Sequence, residues 1–166
     1  PYCNPGTLLP IDRVVEIIFK CTRALNYAQR LGITHRDIKP ANILITGEGG
    51  LVEKAGGDIK ISDFGAALTL GNEQTQVSGV GSPAYMSPQQ VREMPLNQQT
   101  DIYSLGVVMY QLLTGRLPFN AVNHHSMMYQ IIHAEPLPPS TFRADIPPSL
   151  DAIVARAMQK KLEARY

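Results

Sequence analysis

The sequence predicts a mainly α-helical fold: a helical bundle around one buried central helix, with one small β-hairpin. Three observations predict it. Two long segments carry apolar residues at helical spacing. Two short β-branched runs flank a Gly-rich turn. A stretch of Gly, Ser, Thr, Gln and Pro without any period lies between the hairpin and the second long segment.

The first helix follows Pro10, and Asp12 can cap it. Val14, Ile17, Ile18, Cys21, Leu25, Ala28 and Leu31 then recur at helical spacing until Gly32 ends it. Ile43-Leu44-Ile45 and Ile59-Lys60-Ile61 are the hairpin strands, and Gly47 to Gly57 is their loop, whose length has no evident physical reason. Residues 66 to 99 read as an extended loop with at most a short helix. Thr100 can cap the second long helix. Its Ile102, Leu105, Val107, Val108, Met109, Leu112 and Leu113 cover most of the circumference, so it is expected to be buried on nearly all sides up to Gly115. Two amphipathic helices near Ser126–His133 and Ser149–Met158 follow, with prolines at 136, 138, 139, 147 and 148 between them. Met127, Met128 and Met158 read as core filler. Lys160 and Lys161 read as a solvated helix end.

The 166 residues suit one domain, and 44% of them are apolar, enough for a real core. A formal net charge of +1 suggests no general affinity for nucleic acid or an anionic membrane. Cys3 and Cys21 are the only cysteines. They make no CxxC pair and no zinc pattern, which fits free thiols in a reducing, cytoplasmic setting. The longest apolar run, around Ile102 to Leu113, falls short of the ~20 residues a membrane helix needs. No signal peptide is visible. The chain begins at Pro1 without Met and stops at Tyr166 directly after a helical pattern. Both ends therefore read as cuts in a longer protein, whose other segments could tether it to a membrane.

The chemistry is concentrated in His35-Arg36-Asp37-Ile38-Lys39-Pro40-Ala41-Asn42 and, beyond the hairpin, in Asp63-Phe64-Gly65. Phosphoryl transfer to a hydroxyl needs a group that orients the nucleophile and accepts its proton. It also needs positive charge on the γ-phosphate and metal ions that bridge the phosphates. Asp37 supplies a carboxylate and Lys39 a cation. Asn42 and Asp63 supply the oxygen ligands that hard Mg²⁺ prefers. The hairpin between Asn42 and Asp63 is expected to return those oxygens to one place.

HRD-x-K-x-x-N followed by DFG resembles the protein kinase signature. The resemblance implies that Asp37 is the catalytic base and Lys39 contacts the γ-phosphate. It implies that Asn42 and Asp63 hold magnesium, with ATP as phosphate donor and Ser/Thr-bearing proteins as substrates. Lys39 matches the serine/threonine form of the family. Gly81-Ser82-Pro83-Ala84-Tyr85-Met86-Ser87-Pro88-Gln89 is similar to the end of an activation segment, with Ser82 facing the substrate hydroxyl. Asp101-Ile102-Tyr103-Ser104-Leu105-Gly106 is similar to the buried central helix, whose Asp101 anchors the catalytic loop backbone. Arg165 matches the arginine that pairs with the acidic residue ending the activation segment. Tyr2 to Leu8 resembles the hinge between two lobes. There Cys3 would offer backbone groups to adenine and Leu44 would form the floor under the ring. The resemblance spans essentially the whole chain, in the style of bacterial kinases of the eukaryotic type. It implies a partial kinase domain over 1–166: hinge and C-terminal lobe, without the N-terminal lobe and with a truncated C-terminal end. It also admits a kinase–kinase dimer of the parent.

Three features depart from the pattern. The Gly-rich phosphate loop, the strand lysine and its helix glutamate are missing, so this stretch alone is expected to bind ATP poorly and to expose apolar surface. Gln89 stands where the family has Glu. Breaking a buried ion pair costs ~3–5 kcal/mol, but Gln keeps an acceptor for Arg165, so the expected loss is nearer ~1.5–3 kcal/mol. The long Gly47 to Gly57 loop is the third departure.

Plainer readings stand beside these. Asp37, Lys39 and Asn42 could be polar surface residues, but the ordered set of motifs argues against it. His35 could be a base; the resemblance makes it a packed residue beneath Phe64. Arg36 could be solvated; the resemblance has it grip a phosphorylated loop. Thr75 and Ser78 are candidate phosphosites or, equally, unmodified hydroxyls. His124 and His125 point to different helix faces and do not suggest metal. A pseudokinase or docking module that binds partner proteins is the alternative function. A small-molecule phosphotransferase ranks below it, because such enzymes generally lack Lys39 and the Gly81–Gln89 segment.

Overall fold

The computed structural model describes residues 2–46, 57–64, 68–69 and 83–166. Helix α1 spans Ile11–Arg30 and buries Val14, Ile17, Cys21 and Ala28 along one face. Its start differs from the expectation. Pro10 holds the N-cap position and no side chain caps the helix. Asp12 lies inside the first turn, where its charge meets the positive end of the helix dipole. At the far end the Gly32 N–H donates to the Gln29 carbonyl at 2.8 Å, with Gly32 at φ 73, a turn that glycine makes at little cost.

Strand β1, Ile33–Thr34, follows at once. Strands β2, Ile43–Thr46, and β3, Asp58–Ile61, pair antiparallel with Ile43 opposite Ile61. Ile43, Ile45, Ile59 and Ile61 are half-buried and pack on the core, while Leu44 and Lys60 face outward. The hairpin matches the sequence reading; its loop lies almost wholly outside the described residues. Strand β4, Leu68–Thr69, pairs antiparallel with β1. That pair gives no sequence signal, because two residues per strand show no alternation. Helix α2, Pro88–Val91, is the short helix allowed for in the extended segment.

Helix α3, Gln98–Thr114, is the centre of the molecule, with 13 of its 17 residues buried. The cap is Asn97 rather than Thr100. Asn97 accepts the Gln99 N–H at 3.0 Å, and Thr100, three residues in, accepts the Asn97 N–H at 3.3 Å. The pair is a capping box, and the sequence reading took its inner member for the cap. Gly106 lets α5 approach: a Cβ there would stand 2.9 Å from the Ala157 Cβ. Gly115 closes the helix at φ 69, and a Cβ there would stand 2.3 Å from the Pro5 nitrogen. Only glycine satisfies both conditions, and through it the segment before α1 packs against the end of α3.

Helix α4, His124–His133, buries Met127 and Ile131; helix α5, Pro148–Ala157, buries Leu150, Val154 and Ala157. Met158 is buried and Met128 half-buried. His124 and His125 are exposed at the start of α4. Lys160 corrects the sequence reading, whereas Lys161 is exposed as expected. The Lys160 ammonium donates to the Ile131 carbonyl at 2.8 Å and lies 4.5 Å from the centre of the Phe119 ring. Burial pushes it down to about 8, against Glu135 and together with Arg165. A doubled lysine at a helix end gives no hint of this aromatic seat. Among the described residues no helix is long and apolar enough to cross a membrane.

Candidate active site

The loop after β1 is hung from α3. Asp101 accepts the His35 N–H through Oδ2 and the Arg36 N–H through Oδ1, each at 2.8 Å. Burial raises the Asp101 carboxyl above its ordinary value, and these two N–H groups act in the opposite direction. Arg36 stands at φ 71 and Asp63 at φ 60. Glu93, after α2, is the only other described residue with a side chain at positive φ, so this backbone strain is concentrated around one place.

Asp37, Lys39 and Asn42 meet there. The Lys39 ammonium donates to Asp37 Oδ2 at 2.7 Å. The Asn42 amide nitrogen donates to the Asp37 carbonyl at 2.8 Å and to Asp37 Oδ2 at 3.2 Å. A 3-10 turn, Pro40–Asn42, sets this spacing, and Pro40 suits its first position because no N–H is needed there. Asn42 is buried. Its donor side is occupied by Asp37, and its amide oxygen accepts no hydrogen bond among the described residues.

The hairpin then returns the chain to the same spot. With Ile43 opposite Ile61, the next residue, Ser62, donates its N–H to the Asn42 carbonyl at 2.9 Å. The Ser62 hydroxyl lies 3.4 Å from that carbonyl and 3.5 Å from Asp63 Oδ2. His35 joins the two strips of chain. Its Nδ1 accepts the Asp37 N–H at 3.3 Å, so the ring proton sits on Nε2, which donates to the Ser62 carbonyl at 2.8 Å. The His35 ring is fully buried and stands edge-on to Phe64 at 4.5 Å between centroids. Asp37, Lys39, Asn42 and Asp63 thus share one neighbourhood, linked through His35 and Ser62. Gly65 lies outside the described residues.

Cys3 and Leu44 line a separate cleft of about 370 Å³, together with Leu9, Ala41, Val108 and Leu112. Burial pushes the Cys3 thiol up. Pro40 and Ala41 also line the cleft, which places it directly behind the Lys39–Asn42 turn.

Gln89 and Arg165 are brought together, both buried. Gln89 Oε1 accepts from Arg165 Nη1 at 3.3 Å and Nη2 at 3.4 Å, while its own amide nitrogen is buried without a partner among the described residues. The shorter bonds of Arg165 go to the carbonyls of Gln99 and Gln159, at 2.7–2.9 Å. The arginine is held chiefly by backbone dipoles. The Arg36 Nε is likewise buried without a hydrogen-bond partner among the described residues. Thr75, Ser78 and Ser82 lie outside the described residues.

Three contributors have no individual role in the sequence analysis. Ser62 stitches Asn42 to Asp63. Tyr85 donates its hydroxyl to Gln111 at 2.7 Å and accepts the Ser104 hydroxyl on its carbonyl at 2.8 Å, which fastens the 3-10 turn Pro83–Tyr85 to α3. Gln90 donates to the Arg36 carbonyl at 2.7 Å. Only Gln90 had a signal, since Ser87-x-x-Gln90 is a capping-box pattern.

The donor set suits a hard cation that brings part of its own shell. Among the described residues no three His, Cys, Asp or Glu side chains gather in a metal-binding group. One amide oxygen and one or two carboxylates match the way Mg²⁺ is held beside phosphate oxygens, rather than in an all-protein cage.

The protein kinase domain family model matches residues 2–166. The serine/threonine-protein kinase PknB of Mycolicibacterium smegmatis is 40% identical over 165 residues, which is 97% of this chain and 25% of that protein. PknB of Mycobacterium tuberculosis is 39% identical over the same shares. A probable serine/threonine-protein kinase of Streptomyces coelicolor is 39% identical over 96% of this chain and 23% of that protein. The chain spans about a quarter of the length of the curated relatives it matches. A match along essentially its whole length to one family model, carried by relatives of the bacterial serine/threonine type, shows that this chain belongs to the protein kinase family.

Proposed function

We propose that the protein carrying this chain transfers the γ-phosphate of ATP to serine and threonine hydroxyls of protein substrates, and that residues 1–166 supply the hinge and C-terminal lobe of its kinase domain. The observation that carries the reading is the cluster itself: Lys39 and Asn42 both donate to Asp37 Oδ2, with Asp63 joined through Ser62.

Asp37 is the proton acceptor. Its Oδ2 is occupied by Lys39 and Asn42, whereas Oδ1 accepts no hydrogen bond among the described residues and can take the substrate hydroxyl. As the hydroxyl oxygen forms its bond to the γ-phosphorus, the bond from phosphorus to the β–γ bridging oxygen breaks and ADP leaves. The hydroxyl proton passes to Asp37 Oδ1. Lys39 exchanges its contact with Asp37 for one with the γ-phosphate oxygens, whose charge it offsets. Asn42 and Asp63 would hold Mg²⁺, which would supply charge neutralisation of the phosphates. Cys3 offers backbone groups to adenine, and Leu44 supplies an apolar floor. Arg36, whose Nε has no hydrogen-bond partner among the described residues, receives a phosphorylated residue of the segment that contains Thr75 and Ser78.

The test is phosphate transfer from γ-labelled ATP, with magnesium, by the intact protein onto a peptide array that displays Ser, Thr and Tyr. Label on Ser and Thr peptides is expected. Label confined to Tyr peptides, or none on peptides alongside label on small alcohols, would overturn the reading.

A further inference from the structure

Gln90 uses both ends of its side-chain amide. Its Oε1 accepts the Ser87 N–H at 2.9 Å, and its own backbone N–H donates to Ser87 Oγ at 3.3 Å, which closes a capping box on α2. Its Nε2 reaches out of the helix and donates to the Arg36 carbonyl at 2.7 Å, a residue 54 positions earlier. The cap alone asks for an acceptor, and Glu would serve as well as Gln. The second bond asks for a donor, which a carboxylate lacks. A flipped amide would set its NH₂ against the Ser87 N–H and its oxygen against the Arg36 carbonyl. The two partners therefore fix the orientation.

The Arg36 carbonyl belongs to the peptide plane that enters Asp37, and that plane is rigid. At its other edge the Asp37 N–H makes only a long bond, 3.3 Å, to His35 Nδ1. Among the described residues Gln90 is the one donor to this carbonyl. Arg36 sits in the left-handed region, which persists only where the surroundings hold it, and Asp101 grips just its N–H.

From this geometry we infer that Gln90 is a positioning residue. It fixes the Arg36–Asp37 peptide plane, thereby aims the Asp37 carboxylate, and makes that aim depend on a formed α2. The inference rests on the reading of Asp37 as proton acceptor.

Gln90→Glu in the intact protein separates the two bonds. It keeps the cap, so the melting temperature should fall by no more than about 10 °C, the cost of one stranded acceptor. It loses the clamp and sets a carboxylate beside the Arg36 carbonyl, so kcat should fall about 10–100-fold while KM for ATP changes less than about threefold. Gln90→Met removes both hydrogen bonds at similar volume and should show the same loss of kcat. In an Asp37→Asn background, Gln90→Glu should leave the residual rate unchanged, because nothing remains to be aimed. A kcat within about twofold of wild type in both single variants, beside a crippled Asp37→Asn, overturns the role of Gln90 alone, as does an additive loss in the double variant. A full rate in Asp37→Asn by itself overturns the reading of Asp37 beneath it.

Discussion

Asp37→Asn in the intact protein is expected to lower kcat by at least about 10²–10⁴-fold, the usual contribution of a positioned proton acceptor. The substitution is close to isosteric, and the Asp37 side chain is 35% exposed, so the fold should tolerate it. An amide oxygen can still face Lys39 and Asn42, as Oδ2 does now. The NH₂ then stands where Oδ1 stood and offers a donor to a hydroxyl that needs an acceptor. KM for ATP should change little, because Lys39, Asn42 and Asp63 remain. Steady-state phosphotransfer onto a Ser peptide measures both quantities, and an undiminished kcat would remove Asp37 from its role.

Asp101→Ala is expected to cost about 3–5 kcal/mol of stability, since it strands two N–H groups at the start of the loop and each unsatisfied buried donor costs about 1–3 kcal/mol. The His35 N–H has no access to water as a substitute, because His35 is fully buried. Asp101→Asn keeps one acceptor and should lose roughly half as much. The pH dependence has a definite sign. Burial holds the folded carboxyl above its unfolded value of 3.8, so between the two values the folded chain binds more proton than the unfolded chain. Stability therefore declines as pH rises through that window, and Asp101→Asn should flatten the decline. Urea unfolding from pH 4 upward reads both effects. A loss below about 1 kcal/mol for Asp101→Ala would show that the two N–H groups find other acceptors.

The gathering of the polar loop residues was more legible in the sequence than the packing that supports it. Asp37, Lys39 and Asn42 fall within six residues of one another, so one turn gathers them, and the two Ile-rich runs suffice to return Ser62 and Asp63. Apolar spacing revealed α1, α3, α4 and α5 to within a few residues, because long periodic segments repeat their signal. Ends were less legible. Thr100 and Asn97 cap one helix jointly, and spacing alone cannot say which lies outside. The pairing of β1 with β4 was illegible at two residues a strand. So were the seat of Lys160 and the reach of Gln90 to Arg36, which depend on contacts across 29 and 54 residues. Long-range hydrogen bonds of this kind leave no periodic trace. The Gln89 departure was visible, but not that Arg165 leans on the carbonyls of Gln99 and Gln159.

Magnesium-dependent nucleotide affinity is the most direct measurement of whether these residues act together. Binding of a nonhydrolysable ATP analogue to the intact protein should tighten when magnesium is added. Asn42→Ala and Asp63→Asn should each abolish most of that gain while leaving the affinity without magnesium nearly unchanged, since the proposed function has both side chains act through the metal. A magnesium gain in both variants equal to that of the wild type would contradict the account, because the oxygens of Asn42 and Asp63 would then hold no metal beside the phosphates.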